Sequence, residues 1–466
     1  MTHWPPSSPS LLSQTISSAL PQPPDDTKPI RLGIMTQFYP PDYAATGQLI
    51  EELAQHLRQI GLKVHIFTGQ PGYAFDTALA PPRETQNQIQ IRRSQTSRLW
   101  PQRIRGRAIN GIFFTLRTAL HLLNPRHKLD VLLITTEPPY LNVLGYLASR
   151  IRGIPCICLT YDLYPDVAVA LQVLSPQHWL TRFWALLNRH IWKEAHALIV
   201  LSATMRDRIV THCPQVAAKI AVIHSWSDPS FIQPRAKTQN WFARKHKLDR
   251  TFTVLYSGNM GRCHDMQTIL HAVKALRQDP IQFVFIGSGA KYPSFQAAVL
   301  EARLTNCLFL PYQDKQTLPY SLTACDVALV SIAKGMEGLV VPSKLYGSLA
   351  AGRPIAAVCE SHSYLREVLN NAQCGQAFEN EDSEGLAQFL RYLCQNPHHA
   401  AAMGRNGSQY LQSYFTPQQI ATLYSHVIYQ CVTAHQQKRP VNCAQTIPQP
   451  GPLPEHLLTS IELPEP

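Results

Sequence analysis

Short β-rich runs alternate with longer amphipathic stretches along this chain, and the whole alternation occurs twice, which leaves few folds open to it. In the first half, residues 31–37, 64–68, 131–135, 155–160 and 197–201 read as strands, nearly continuous in apolar residues as strands buried on both faces are. Helical patterns lie between them, such as residues 48–60, where Leu49, Leu53, Leu57 and Ile60 share a face. In the second half, 252–257, 281–286, 307–310, 326–332 and 355–358 repeat the arrangement. The expected class is α/β, two doubly wound, Rossmann-like domains with parallel sheets facing a cleft, and ligands of such sheets gather at the carboxyl ends of the strands. The domains are expected at residues 30–224 and 225–416, with the polar stretch 225–250 acting as the hinge.

Composition agrees with a large folded protein. At 466 residues, with 45% apolar and 15% charged, the chain can bury more than one core. Residues 1–29 are rich in Pro and Ser and lack a basic leader, so they read as a disordered tail rather than a signal peptide. Residues 437–466, with seven prolines, read as a second such tail. No run of about 18 apolar residues occurs, and a membrane-spanning helix is not expected. Eleven cysteines, from Cys156 to Cys443, show no CxxC pair; they are expected to be buried, reduced thiols of a cytosolic protein rather than metal ligands or disulfides.

The sharpest chemical signal runs from Gly338 to Pro354. An apolar run enters a loop containing Gly338, Pro342 opens a helical pattern, and Gly352-Arg353-Pro354 closes it. Ser343 and Lys344 then stand at a helix N-terminus, where unpaired N–H groups and the positive end of the dipole favour an anion. A hydroxyl and an ammonium beside them suit a diphosphate, so the segment reads as the pocket of a departing nucleotide. Two further strand-to-helix turns join it, Gly258-Asn259-Met260-Gly261-Arg262 and Gly287-Ser288-Gly289. In the first half, the loop from Gln37 ends at Gly47, read as opening a helix. Each glycine alone is ordinary turn chemistry. With Lys344 and Arg262 at one set of strand ends, a shared phosphate site is the better reading, and the GxG at Gly287 lacks the rest of a dinucleotide fingerprint.

In this order the features resemble family 4 of the GT-B glycosyltransferases. The likeness covers residues 31–435 and rests on Tyr39-Pro40-Pro41 with Thr46-Gly47, on Tyr161-Asp162-Leu163-Tyr164-Pro165-Asp166, on the Gly258 and Gly287 turns, and on Pro342-Ser343-Lys344-Leu345-Tyr346 with Ala351-Gly352-Arg353-Pro354. It is nearest to the bacterial branch that decorates lipid-linked intermediates of surface polysaccharides of the colanic-acid and O-antigen kind. The resemblance implies a hexosyl- or deoxyhexosyltransferase that uses a nucleoside-diphosphate sugar, retains anomeric configuration and requires no metal or other cofactor. It allows the final helical pattern, 417–436, to cross back onto the first domain. Lys344, Arg262 and Asp162 become the catalytic candidates. Gly47, Gly258, Asn259, Ser343, Glu337 and Gly287 become the donor-binding ones.

The chain also departs from that pattern. Many members carry two glutamates eight residues apart around the phosphate helix, and the second position falls here on Gly347, with Glu337 ten residues ahead of it. Ribose recognition is therefore unassigned, and Glu337 is either a donor ligand or a solvated loop carboxylate. The family's phosphate-binding Arg stands here as Asn259, with Arg262 as its substitute, and a histidine common in the first domain is missing. Asp162 is read as orienting hydroxyls, with helix capping as its alternative role.

Formal net charge is +12, and no acidic residue occurs between Glu84 and Asp130, a stretch that holds Arg103, Arg105 and Arg107 among its cations. Ile109, Ile112, Phe113, Phe114, Leu116, Leu120 and Leu123 are interleaved, as in a basic amphipathic helix lying on anionic lipid. Trp184, with Trp179, Arg182 and Phe183, repeats the mixture, although both segments could equally pack on the first sheet. No nucleic-acid module accompanies the charge. The expected partners are a nucleotide sugar, a lipid-linked or saccharide acceptor and a membrane surface, with the protein cytoplasmic and peripheral on the inner face of the cell membrane. Two other readings stand beside this one: a nucleoside-diphosphate-sugar epimerase or hydrolase on the same scaffold, and a catalytically silent partner that binds donor or lipid.

Overall fold

A computed structural model describes residues 28–42, 45–71, 79–94, 104–124 and 127–460, with side chains from residue 110 onward in the helix Ile104–Leu123. These form two compact units, one from residues up to 224 together with 417–449, the other from 225–416 together with the end of the chain.

The first unit is built on an eight-stranded sheet: β1 (Arg31–Met35), β2 (Lys63–Thr68), β3 (Arg83–Gln86), β4 (Ile89–Arg93), β5 (Val131–Thr135), β6 (Cys156–Thr160), β7 (Ala197–Val200) and β8 (Ile220–Val222). The order is β3-β4-β2-β1-β5-β6-β7-β8, and every neighbouring pair is parallel except β3 with β4. Every residue of β5, β6 and β7 is buried, which is why their sequences are continuous apolar runs rather than alternating ones. The sheet is thus mixed rather than wholly parallel. Its antiparallel pair turns at Asn87 and Gln88, both with positive φ, 49° and 63°, the conformation of a two-residue hairpin turn. The chain makes this turn without the glycine that normally signals it.

The helix Ala45–Gln59 begins two residues before Gly47 and, of the face read from Leu49, Leu53, Leu57 and Ile60, buries Leu53 and Leu57, joined by Ile50 and Ala54, while Leu49 and Ile60 are half-buried. Against it and against β5 and β6 packs the long helix Pro417–Gln437, which buries Ile420, Tyr424, Val427 and Ile428. Among the described residues no helix is long and apolar enough to cross a membrane.

The second unit has six parallel strands, β9 (Phe252–Ser257), β10 (Ile281–Ile286), β11 (Cys307–Leu310), β12 (Val327–Ser331), β13 (Ile355–Val358) and β14 (Gly375–Phe378), in the order β11-β10-β9-β12-β13-β14. Reversal of strand order beside β9 and β12 makes a switch point, where loops after adjacent strands diverge and leave room for a ligand.

Two expectations are modified here. Residues 225–250 begin at the boundary between the units and are largely irregular, as expected, but they also carry the short helix Trp241–Lys245, capped by Asn240 Oδ1, with Phe242 and Ala243 inside the core beneath β9 and β10. The C-terminal prolines do not make a free tail, because they hold the chain extended while the apolar residues between them find sites. Cys443, Ile447 and Leu453 are buried, the Ala444 N–H donates to Ala218 O, and the Leu453 N–H donates to Asn371 O. Residues 1–27 lie outside the described part of the chain.

Candidate functional site

In the second unit, three of the singled-out loops interlock. The chain leaves β9 through Gly258, at φ 121°, and leaves β10 through Gly287, at φ 131°. The Gly258 N–H donates to Ile286 O at 2.8 Å, and the Met260 N–H donates to Ser288 O at 2.7 Å. The two backbones run so close that a Cβ on Gly287 would stand 2.2 Å from Gly258 O, and one on Gly289 would stand 2.4 Å from Asn259 Oδ1. Over this floor lies Lys344, the first residue of the helix Lys344–Ala350. Its Cε is 3.1 Å from where a Gly258 Cβ would be, and its Nζ is 5.1 Å from the centre of the Tyr256 ring. Glycine at 258 is therefore required twice, for its backbone angle and for the lysine above it.

The residue that positions Lys344 is His264, which the sequence reading did not single out. Its Nδ1 lies 2.9 Å from Ser331 O, a carbonyl that can only accept, so Nδ1 carries the proton and Nε2 offers a lone pair. Lys344 Nζ donates to that Nε2 at 3.2 Å. Burial, with Lys344 beside it, lowers the His264 pKa to about 3, which keeps the imidazole neutral. Burial also lowers Lys344 to about 8, although part of the residue's surface remains open. An ammonium has three N–H groups, and this one spends one on His264. Lys291 Nζ donates to His264 O at 2.6 Å and adds a second cation to the loop.

The remaining candidates of this unit fall around that centre. Ser343 is the N-cap residue and is exposed, with no cap bond from its hydroxyl, and Pro342 precedes the helix rather than opening it. Asn259 and Arg262 are exposed on the loop after β9, and among the described residues Arg262 makes no ion pair or hydrogen bond, so Lys344 is bonded by His264 rather than met by Arg262. Glu337 is not a solvated carboxylate. It is 1% exposed in the loop before the helix, and its Oε1 accepts from the Tyr364 N–H at 3.4 Å. Gly347 occupies the helix itself, and its missing side chain faces Leu322.

In the first unit, the ends of β1, β5 and β6 bring two carboxylates together. Glu137, two residues past β5, accepts from Thr46 Oγ1 at 2.7 Å, while the Tyr161 and Asp162 N–H groups past β6 both donate to Thr136 Oγ1, at 3.1 and 3.4 Å. Burial, with the Asp162 charge nearby, raises Glu137 to about 7, against the lowering effect of Thr46; burial raises Asp162 to about 6. Asp162 does not cap a helix, because the helix Asp166–Ala170 starts after Pro165 without a side-chain cap. Glu137 was legible only as an acid directly after a parallel strand, the place where such sheets put their chemistry. Gly47 has a packing role, since a Cβ there would stand 3.1 Å from the backbone of Phe38 and Tyr39.

Since both carboxyls hold their protons in the folded unit to about pH 6–7, while the unfolded chain releases them near pH 4, folding loses stability as pH rises through that window. Glu137→Gln, which retains an acceptor for Thr46, is expected to raise stability by roughly 1–2 kcal/mol at pH 8 and to leave it unchanged at pH 4, as read by thermal melts at both values.

The cationic, apolar helices of this unit resolve as both packed and exposed. On Ile104–Leu123, Phe114 and Leu122 are buried while Ile112, Phe113, Leu116, Leu120 and Leu123 are 40–64% exposed. Its neighbour Leu141–Arg152 exposes Leu147 and Ile151, and Trp179–Glu194, packed next to that, exposes Trp179, Phe183 and Leu186. Trp184 stacks on Tyr164, with ring centres 5.9 Å apart. Arg103 lies outside the described residues, as do the side chains of Arg105 and Arg107.

Comparison with known proteins agrees with this architecture. The family description "Glycosyl transferase 4-like domain" fits residues 45–226, and "Glycosyl transferases group 1" fits residues 237–410. The chain is 26% identical over 370 residues to "Probable glycosyltransferase WbjE" of Pseudomonas aeruginosa, covering 78% of this chain and 90% of that one. It is 29% identical over 155 residues to WcaI of Escherichia coli K12, described as a colanic acid biosynthesis glycosyl transferase, over 32% of this chain and 37% of that one. Among solved structures, sucrose-phosphate synthase from Thermosynechococcus elongatus superposes with a TM-score of 0.68 at 18% identity, over 87% of this chain and all of the other. Anabaena HepE in complex with UDP and glucose gives 0.63 at 15%, over 86% and 99%. The chain belongs to the GT-B glycosyltransferases of family 4 and resembles the colanic-acid and O-antigen enzymes. Its class of reaction is therefore glycosyl transfer.

Proposed function

We propose that this enzyme transfers a sugar from a nucleoside-diphosphate sugar to a lipid-linked acceptor of the polyprenyl-diphosphate type, with retention, during assembly of a surface polysaccharide. The observation that carries the proposal is the Lys344 ammonium, held over the Gly258 and Gly287 turns by a neutral His264 with two N–H groups left for an anion. Breaking the sugar–phosphate bond moves negative charge onto the diphosphate, so Lys344, Ser343, Arg262 and the glycine-lined backbone stabilise the transition state more than the ground state. These cations meet the charge without a metal. Gly258, Asn259 and Gly287 border the diphosphate, and Glu337 stiffens the loop that leads to Ser343. Retention follows if the departing phosphate takes the acceptor's proton on the same face. Asp162 and Glu137 then orient the acceptor's hydroxyls. UDP-sugars are the first donors to try, because HepE, of the same fold, was captured with UDP.

The test is release of nucleoside diphosphate from a panel of UDP- and GDP-sugars, with and without bacterial membranes. Membrane-dependent release is expected; release that ignores membranes would favour a hydrolase, and conversion of the donor to another nucleoside-diphosphate sugar without release would favour an epimerase. Asp162→Asn in the same assay is expected to slow turnover, and unchanged turnover would remove Asp162 from the reaction.

Residence on the inner face of the cell membrane forms part of this reading. Three neighbouring helices expose large apolar side chains beside Arg117, Arg182, Arg189 and Lys193, the mixture that binds an anionic interface. Flotation with vesicles containing anionic lipid is expected to carry the wild-type protein, and Ile112→Ser with Leu116→Ser and Phe183→Ser to reduce the bound fraction several-fold. Equal flotation of both would disprove the face.

A further inference from the structure

The first unit contains a cationic pocket that the proposed reaction has not used. It has a volume of about 240 Å³ and lies at the carboxyl ends of β2 and β4, walled by Arg83, Arg92, Arg93, Arg117, His121 and His127. That is below the roughly 300 Å³ at which drug-sized ligands begin, so it suits a small charged group better than a whole nucleotide.

Among the described residues, most of its charge is uncompensated. Arg93 is spoken for: buried, it pairs with Glu84 at 2.6 Å and donates to Pro81 O and Pro40 O, which ties the pocket floor to the loop after β1. Among the described residues, Arg83, Arg92 and Arg117 have no carboxylate within ion-pair distance. Arg92 donates to His127 Nε2 at 3.0 Å, which leaves that ring's other nitrogen with the proton, and the His121 ring stacks between Phe67 and His127. Two buried nitrogens, Arg93 Nε and His121 Nδ1, lack a hydrogen-bond partner among the described residues. Burial and the surrounding arginines hold both histidines below their ordinary range, so the pocket's positive charge is carried by guanidinium groups, the side chain best shaped for phosphate oxygens.

One wall decides what sort of phosphate fits. Arg117, His121 and Asn124 come from the helix Ile104–Leu123 and the turn after it, and Leu120, which also lines the pocket, is 64% exposed between Leu116 and Leu123, also exposed. An anion in the pocket would have an apolar track at its rim. Along the sheet, β2 and β4 lie two to four strands from β5 and β6, roughly 10–19 Å, which leaves room for one or two sugar units between the pocket and the Glu137–Asp162 pair.

We propose that this pocket binds the diphosphate of the lipid-linked acceptor, its hydrocarbon leaving along Leu116, Leu120 and Leu123 and its sugar end directed toward Glu137 and Asp162. The proposal rests on the acceptor class assigned above, and deepens it by naming the residues that recognise it.

The test is calorimetric titration of the full chain carrying Lys344→Ala, which disables the diphosphate site of the other unit, with farnesyl diphosphate and with inorganic pyrophosphate. Farnesyl diphosphate is expected to bind, and Arg92→Gln with Arg117→Gln to weaken it at least tenfold. Arg83→Gln, at an exposed position where folding is not at stake, is expected to weaken it about threefold. Pyrophosphate should bind more weakly than the prenyl compound. Equal affinity with and without the arginines overturns the pocket, and arginine-dependent binding of pyrophosphate as tight as that of farnesyl diphosphate would make it a free-phosphate site instead. No sugar transfer is involved, so the two readings fail separately. Arginine-dependent prenyl diphosphate binding in a protein that transfers nothing would sink the catalytic reading alone, whereas transfer to lipid with acceptor KM unchanged in Arg92→Gln/Arg117→Gln would sink this one.

Discussion

Lys344→Ala is expected to lower kcat for sugar transfer by roughly a hundred- to a thousandfold, the usual cost of removing one donor aimed at developing negative charge. The size follows from placement. The ammonium is fixed by His264 Nε2 and the Tyr256 ring, so it needs little reorganisation when the diphosphate departs. Lys344→Met, which keeps the stem packed over Gly258, should lose about as much, separating loss of charge from loss of packing. Because burial lowers this ammonium to about 8, wild-type kcat/KM for the donor should fall above pH 8, approaching tenfold per pH unit. Stability has the opposite sense. Between pH 8 and the 10.5 of an unfolded lysine, the unfolded chain holds a proton that the folded chain has lost, so stability rises with pH across that window. At pH 7, Lys344→Met should therefore be inactive yet no less stable, as a donor assay and a thermal melt on one sample would show. A less stable Lys344→Met protein would mean that the lysine supports the fold rather than the reaction.

Gly287→Ala is expected to cost the second unit stability and transfer together. The new Cβ would stand 2.2 Å from Gly258 O, and φ of 131° is strained for any L side chain. Strain and overpacking together come to roughly 2–6 kcal/mol, and the chain can relieve them only by separating the turns after β9 and β10 that seat Lys344. A fall in melting temperature of about 10 °C, with loss of transfer, is the expected outcome. Gly335→Ala is the matched control. Its φ is also positive, at 80°, but nothing lies within 4 Å of its Cβ, so it should show the strain without the clash. Equal effects at the two positions would show that backbone angle, not the close approach of the two turns, governs the damage.

Much of this architecture is legible because it repeats. The runs at 252–257, 281–286, 307–310 and 355–358 coincide with β9, β10, β11 and β13, since the strands of a covered parallel sheet are predominantly apolar, down to the half-buried edge strand β11. What escapes is what depends on few residues or on distant ones. The β3–β4 hairpin turns on Asn87 and Gln88 with no glycine to announce it, and β8 and β14 have only 3 and 4 residues. The helix stripe holds at Leu53 and Leu57 but takes Leu49 where Ile50 is the buried residue, because the two are equally apolar and only packing decides between them. In the site, Lys344 and the glycine turns stand out because their chemistry is local, at the ends of strands. His264 does not, because its meaning lies in Ser331 and Lys344, 67 and 80 residues away. The same holds for the arginine pocket, which gathers residues of β4, the helix after it and the turn beyond that helix, 83 to 127 in the chain.

The most direct measurement is transfer of radiolabel from the donor that the release assay selects into lipid-extractable material, using purified protein with bacterial membranes and Lys344→Ala run in parallel. The account requires label in the lipid phase with wild-type protein, at least a hundredfold less with Lys344→Ala, and an anomeric configuration in the product matching that of the donor. Label that stays in the aqueous phase as free or epimerised sugar, or that enters lipid equally with Lys344→Ala, would contradict it.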